Sequence, residues 1–375
     1  MPRVLLLRAE LLPGSETFVA AQAVALRRYE AGFAGLKRVR DGLDVPGVVA
    51  VLDERGGWAG KAARLAYLRT GFTAGFERAL REWRANVAHV HFAMDACAFL
   101  PVLRRLGVPF VVTLHGYDVG LSDAAHAGCA AGRMFLRRRA ALWREAARFA
   151  CVSEHLRRVA AERGFPEEKL RVHVTGVAVR EFALRGGREP VALFVGRLVE
   201  KKGCRVLLEA WKAVEQELPE ARLVVIGDGP LRGDLEGWAR MHLRRFSFAG
   251  ARTPAEVRGW MERAAVLAAP SVRAMDGDTE GLPTVVLEAM ERGVAVVASD
   301  GTGAEEAVAA GETGFLTVQG DAEGLAKRLI CLLRDEALAH GMGTRGRRRV
   351  EERFDIARQT EGLERIYDEV RGRDG

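Results

Sequence analysis

Short, almost wholly apolar runs recur along this chain, each followed by a polar or glycine-bearing interval and then a longer amphipathic stretch. In the first half these runs are Val4–Leu7, residues 48–52, Val87–Phe92, Phe110–Leu114, Phe149–Val152 and residues 171–174. Apolar character on both faces is the mark of a parallel-sheet strand, because helices cover both sides of such a sheet. Between the runs, the spacing predicts helices over Glu16–Tyr29 with Ser15 as N-cap, over residues 58–84, over Ala96–Leu106, over residues 132–149 and from Ser153 onward. A turn-rich interval, Leu184–Pro190, then breaks the series. A second series follows at once, with strands Ala192–Val195, Arg222–Ile226, Arg245–Phe248, Ala265–Ala269, Val294–Ala298 and Gly314–Leu316. Pro283 suits a first helical position and places a helix between the last-but-two and last-but-one of these strands. Residues 353–370 read as one or two further helices. The expected fold is α/β: two doubly wound, Rossmann-like domains at residues 1–187 and 188–350, with residues 351–375 as a closing helical segment.

At 375 residues the chain is long enough for two such domains. No apolar stretch approaches the length of a membrane span, and the first residues lack the pattern of a secretory leader, so a cytoplasmic location is expected. The five cysteines are scattered and odd in number, which fits reduced thiols. His89 and His91 share one face of a strand, but without a third clustered ligand they read as structural rather than as a metal site.

Charge is uneven. Residues 1–189 carry 30 Lys+Arg against 19 Asp+Glu, while the remainder carries 27 against 31, giving +11 and −4 within a total of +7. The densest basic block is residues 132–149, where Arg137, Arg138, Arg139, Arg144 and Arg148 share an expected helix with Phe135, Leu136, Leu142 and Trp143. Such a helix suits peripheral contact with the inner face of an anionic membrane; a solvated helix face is the plainer reading. No nucleic-acid motif accompanies the charge.

The chemistry concentrates in residues 265–316. Glu280 closes a polar loop, Gly281 follows, and Glu288 lies in the second turn of the next helix. The free N–H groups of Thr284 and Val285 at the helix start favour a negative ligand. A loop acid, a helix acid and a helix N-terminus suit a phosphorylated, polyhydroxylated molecule, although a strand–loop–helix with an incidental acid has the same spacing. After the strand ending at Val195, Arg197 and Lys202 offer a bidentate grip and a point charge for phosphate oxygens. Gly227-Asp228-Gly229-Pro230 follows another strand in the manner of a dinucleotide fingerprint. Pro230 in the turn and the absence of an acid after Phe248 oppose that reading.

EGLPTVVLEAM with its E-x₇-E spacing, GRLVEKKG, GDGP, LHGYD and the Gly14 loop occur in an order that resembles family 4 retaining glycosyltransferases, from about residue 13 to about residue 365. The resemblance implies a GT-B fold, with the two domains facing each other across a cleft and the last helix crossing back to the first domain. It also implies transfer of a sugar from a nucleotide-diphosphate sugar, UDP- or GDP-type, to a glycan or lipid-linked acceptor of the bacterial exopolysaccharide or lipopolysaccharide kind, with no cofactor and no metal. By the same resemblance, Arg197, Lys202, Gly14, Thr284 and Val285 bind the diphosphate. Glu288 takes the ribose, Gly281, Leu282 and Pro283 the sugar, and Gly229, Ala249, Gly250 and Ala251 border the base. Glu280 and His115 flank the transferred sugar, and Glu306 fixes a nearby loop. A nucleotide-sugar epimerase of the same fold, or a non-catalytic binding partner, are the alternative readings.

Overall fold

The computed structural model describes residues 1–14, 16–40, 42–181 and 187–372. The chain divides into two compact units, Met1–Ala178 with Ile356–Gly375, and Val179–Asp355. The division thus falls at Ala178/Val179, ahead of the expected linker at Leu184–Pro190, of which residues 184–186 lie outside the described set. Ser15, the expected N-cap, lies outside it too.

The first unit contains β1 (Arg3–Leu11), α1 (Thr17–Ala25), β2 (Glu30–Arg38), β3 (Val48–Asp53), α2 (Trp58–Thr70), α3 (Ala74–Trp83), β4 (Val87–His91) and α4 (Ala93–Leu106). It continues through β5 (Phe110–Leu114), α5 (Tyr117–Gly120), α6 (Asp123–Ala127), α7 (Ala130–Glu145), β6 (Arg148–Cys151), α8 (Glu154–Glu162) and β7 (Leu170–Val172). Its seven strands form one parallel sheet in the order β3-β2-β1-β4-β5-β6-β7. Every residue of β4 and of β5 is buried, His89, His91 and Thr113 within their otherwise apolar runs included.

The second unit contains β8 (Glu189–Val195), α9 (Cys204–Glu217), β9 (Arg222–Ile226), α10 (Arg232–His242), β10 (Phe246–Gly250), α11 (Pro254–Arg263) and β11 (Ala264–Ala269). After these come α12 (Thr284–Glu291), β12 (Ala295–Ser299), β13 (Gly314–Thr317), α13 (Ala322–Arg334) and α14 (Glu336–Arg353). Its sheet is also parallel, in the order β10-β9-β8-β11-β12-β13. Leu207, Leu208 and Trp211 of α9 and Leu329 and Leu332 of α13 fill its core.

The closing helix α15 (Ile356–Arg371) belongs to the first unit. Its Leu363, Tyr367 and Val370 join Val4, Leu6, Val87 and Val111 in one buried cluster, each side chain contributing about 1.5–3 kcal/mol on burial. Its Glu364 accepts from the N–H groups of Arg27 and Arg28 at 2.8 and 2.6 Å, just past the end of α1.

Four local expectations are corrected. The helix expected to reach Tyr29 stops at Ala25, and Glu30–Arg38 is a strand. EAGFAGLKR has little intrinsic strand preference, so its ladders with β1 and β3 decide. The basic helix ends at Glu145; Arg148 is a buried strand residue ion-paired to Glu369, Arg138 donates to Cys97 O at 2.9 Å, and Arg139 pairs with Asp123 at 2.8 Å. Of the five arginines, Arg137 and Arg144 remain exposed. β10 runs on to include Ala249 and Gly250. Pro283 caps α12 rather than opening it. Among the described residues, no helix is long and apolar enough to cross a membrane.

Candidate functional site

Strand order reverses direction between β8 and β11 in the second sheet. A doubly wound sheet binds ligands outside the carboxyl ends of its strands at such a point. The loops after β8 and β11 occupy that position, and they carry the expected residues. Lys202 Nζ lies 3.1 Å from Glu280 Oε1, and Lys201 Nζ lies 3.8 Å from the same oxygen. Lys201 also pairs with Asp278 at 3.1 Å. Glu280 is 8 % exposed. Burial alone would push its carboxyl up, but Lys202 and Lys201 outweigh it and hold Glu280 below the usual carboxylate range. Glu280 is therefore an anion at neutral pH, a hydrogen-bond acceptor for hydroxyl groups.

Backbone contacts lock these loops together. Val272 N donates to Lys201 O at 2.8 Å, Leu198 N to Asp228 O at 2.9 Å, and Leu231 N to Leu198 O at 3.1 Å, so the loops after β8, β9 and β11 are one structure. Gly203 makes this possible: its φ is +64°, and a Cβ there would sit 1.7 Å from Pro270 O. Gly203→Ala is therefore expected to cost at least about 1–3 kcal/mol, because positive φ and a backbone collision add. A urea midpoint unchanged from that of the parent would refute the interlock.

Arg197 is exposed and forms no ion pair with a described residue. The stem of Lys202 packs over Gly196, with Cδ 3.4 Å from the position a Cβ would take. Thr284 and Val285 open α12, whose N-terminus has no side-chain cap, and Gly281, Leu282 and Pro283 lead into it, all buried. Glu288 is half-buried in the second turn. Burial pushes its carboxyl up to about 7, against the opposing charges of Arg258 and Lys202. Gly229 follows β9, Ala249 and Gly250 close β10, and Ala251 comes directly after it, with Gly227 N donating to Gly250 O at 2.9 Å. Glu306 sits in a 3₁₀ turn, and its carbonyl accepts from Arg349 at 3.0 Å.

Gly14 and His115 belong to the first unit, at the ends of β1 and β5. There the order reverses between β1 and β4. Asp118 holds the His115 turn, accepting from the N–H groups of His115, Gly116 and Ala93 at 3.2, 3.1 and 2.8 Å. His115 is half-buried against Phe92 and Phe18, with ring centroids 4.5 and 5.0 Å away. Phe92 has φ +73°, a strained value for a bulky residue and one that clusters at functional positions.

Sequence reasoning missed two clusters. Lys201 and Asp278 flank the Lys202–Glu280 pair, and the motif spacing marks only the second lysine of the doublet. Beneath the first-unit loops, buried Arg8 pairs with both Glu16 and Asp95 and donates to His91 O at 3.2 Å. Its signal is a charged residue inside the apolar run VLLLRAEL. His89 is structural, bonded to Tyr367 and Thr113 at 2.6 Å each. Among the described residues, no cluster of three or more His, Cys, Asp or Glu side chains is placed to hold a metal ion.

Two family models match in tandem: Glycosyltransferase Family 4 over residues 16–181 and Glycosyl transferases group 1 over residues 179–349. The chain is 32% identical over 199 residues to the putative colanic acid biosynthesis glycosyltransferase WcaL of Salmonella typhimurium, covering 51% of this chain and 49% of that protein. It is 31% identical over 205 residues to the amylovoran biosynthesis glycosyltransferase AmsK of Erwinia amylovora, with the same coverage. The phosphatidyl-myo-inositol mannosyltransferase of Mycolicibacterium smegmatis is 36% identical over 195 residues, covering 50% and 47%. The matches to these curated relatives span about half of their length. Among solved structures, Anabaena HepE in complex with UDP and glucose superposes with a TM-score of 0.75 at 17% identity, over 98% of this chain and 100% of that one. Sucrose-phosphate synthase from Thermosynechococcus elongatus gives 0.77 at 19%, over 98% and 99%. At such identities the likeness establishes the fold, which is GT-B.

Proposed function

Because the chain belongs to glycosyltransferase family 4, we propose that it transfers a sugar from a nucleotide-diphosphate sugar to a glycan or lipid-linked acceptor, with retention of anomeric configuration. The observation that carries this reading is the arrangement of Arg197, Lys202, Glu280 and the uncapped start of α12 around the switch point of the second sheet. Arg197 and Lys202 bind the diphosphate, and the N–H groups of Thr284 and Val285 add the helix dipole. These charges stabilise the departing diphosphate in place of a metal. Glu280 accepts from sugar hydroxyls, and Gly281, Leu282 and Pro283 shape the wall behind it. In the first unit, His115 meets a sugar hydroxyl and Gly14 a phosphate oxygen. In the step itself, the acceptor oxygen bonds to the anomeric carbon on the face from which the phosphate oxygen leaves, and the hydroxyl proton passes to that departing oxygen.

Solved HepE holds UDP and glucose, and the two exopolysaccharide relatives act in colanic acid and amylovoran biosynthesis by name. Both support a nucleotide-sugar donor and a cell-surface polysaccharide product here. A lipid-linked acceptor would place the protein at the inner face of the membrane, with Arg137 and Arg144 on α7 available to anionic headgroups. The test is transfer from UDP- and GDP-hexoses to lipid-linked oligosaccharide extracts, with the new linkage read by NMR. An α-linked product from an α-linked donor supports the reading. An inverted product overturns retention, and an altered nucleotide sugar formed without acceptor overturns transfer.

Glu288 gives the site a pH signature. Ribose hydroxyls donate more strongly to a carboxylate than to its acid. Glu288 ionises only as pH rises through about 7, so nucleoside diphosphate affinity should rise roughly tenfold between pH 6 and 8. Glu288→Gln should flatten that rise; a profile that keeps its slope in this variant would remove Glu288 from the ribose.

A further inference from the structure

His91 and His115 share one hydrogen bond, between Nδ1 of His91 and Nε2 of His115 at 3.0 Å, with ring centroids 5.2 Å apart and ring planes within 23° of each other. Burial pushes both imidazoles well below their ordinary value, and the Arg8 guanidinium nearby acts in the same direction. Both rings are therefore neutral, and a single proton lies between them. Two assignments exist. If His115 donated from Nε2, then Nδ1 of His91 would be bare and His91 would carry its proton on Nε2. That nitrogen is sealed from solvent and has no hydrogen-bond partner among the described residues. An N–H group would be orphaned in the core, which protein interiors tolerate less readily than an unpaired acceptor. In the reverse assignment, only a bare lone pair is left there.

We propose that His91 donates its Nδ1 proton to Nε2 of His115 and so fixes the tautomer of His115, leaving the His115 proton on Nδ1. The partner of a ring nitrogen sets which nitrogen carries the proton. Nδ1 of His115 has no partner among the described residues, and His115 is half-buried rather than sealed. It thus presents a directed N–H donor to an oxygen of the ligand. Given the transferase reading on which this rests, that oxygen is a sugar hydroxyl. His91 is a positioning residue: it touches no substrate and acts only through His115.

The test is a long-range proton–nitrogen correlation spectrum of the full chain labelled with nitrogen-15 histidine. The expected result is an unprotonated Nε2 and a protonated Nδ1 on both His115 and His91. A proton on Nε2 of His115 would overturn the proposal, whether or not the protein transfers sugar. His91→Leu removes the donor, and His91→Asn keeps an amide N–H near the Nδ1 position. His91→Leu should lower kcat roughly tenfold with little change in donor KM, while His91→Asn should stay within about twofold of the parent. Equal losses in the two variants would also overturn it. The predicted tautomer in a chain with no transfer activity would uphold the hydrogen bond and count against the transferase reading instead.

Discussion

Replacing Arg8 with methionine should cost the first unit about 3–5 kcal/mol of stability, the usual consequence of removing one partner from a buried ion pair. Arg8 is 5 % exposed and pairs with Glu16 on one side and Asp95 on the other. Burial already pushes Asp95 up to about 6, and Arg8 is the first charge opposing that rise. Without it, both carboxyls would be buried with no cation between them, and Asp95, already raised by burial, would take up a proton in the folded state. Its folded value would then lie still further above its unfolded one. Protonation of the folded form would spare stability at low pH, and stability would fall as pH rises. The deficit of Arg8→Met against the parent should accordingly be larger at pH 8 than at pH 5, read as urea midpoints at each pH. A deficit under about 1 kcal/mol at pH 8 would mean that Arg8 does not hold this cluster together.

Glu280→Ala should reduce transfer by about 10²–10³-fold, the effect typical of losing one preorganised polar contact to the reacting group. The fold should survive, because Lys201 keeps its pair with Asp278 and Lys202 remains partly solvated. The same variant should keep most of its affinity for the nucleoside diphosphate, since Lys202 is then released from an internal carboxylate and free to meet phosphate. A variant that loses nucleotide binding while keeping kcat would place Glu280 in the diphosphate clamp instead of beside the sugar.

The parallel sheets are readable because their central strands are short, largely apolar runs: Phe110–Leu114 and Ala295–Ser299 announce themselves by composition, and Val87–His91 does so despite His89 and His91 on one face. The strand at Glu30–Arg38 is not, because Ala and Gly dominate it and its ladders with β1 and β3 supply the preference its side chains lack. For the candidate site, the identities of Arg197, Lys202, Glu280 and Glu288 followed from motif order. Their mutual geometry did not. That Lys202 lies against Glu280 depends on the loops after β8 and β11 being adjacent, and adjacency comes from the strand order of the sheet. The Arg8 cluster was hidden for the same reason: a cation within an apolar run signals a buried partner, but Asp95, 87 positions away, is identified only once β1 and β4 pair.

On the proposed function, the second unit's loops after β8 and β11 hold the diphosphate of an activated sugar. Calorimetric titration of UDP and GDP into the full chain, its Arg197→Ala variant and its Lys202→Met variant measures this directly. One of the two nucleotides should bind the parent, and each substitution should weaken it by about tenfold or more, as expected for loss of a charge-assisted contact. Equal affinity in all three proteins, or no binding of either nucleotide to the parent, would contradict a diphosphate site at these loops.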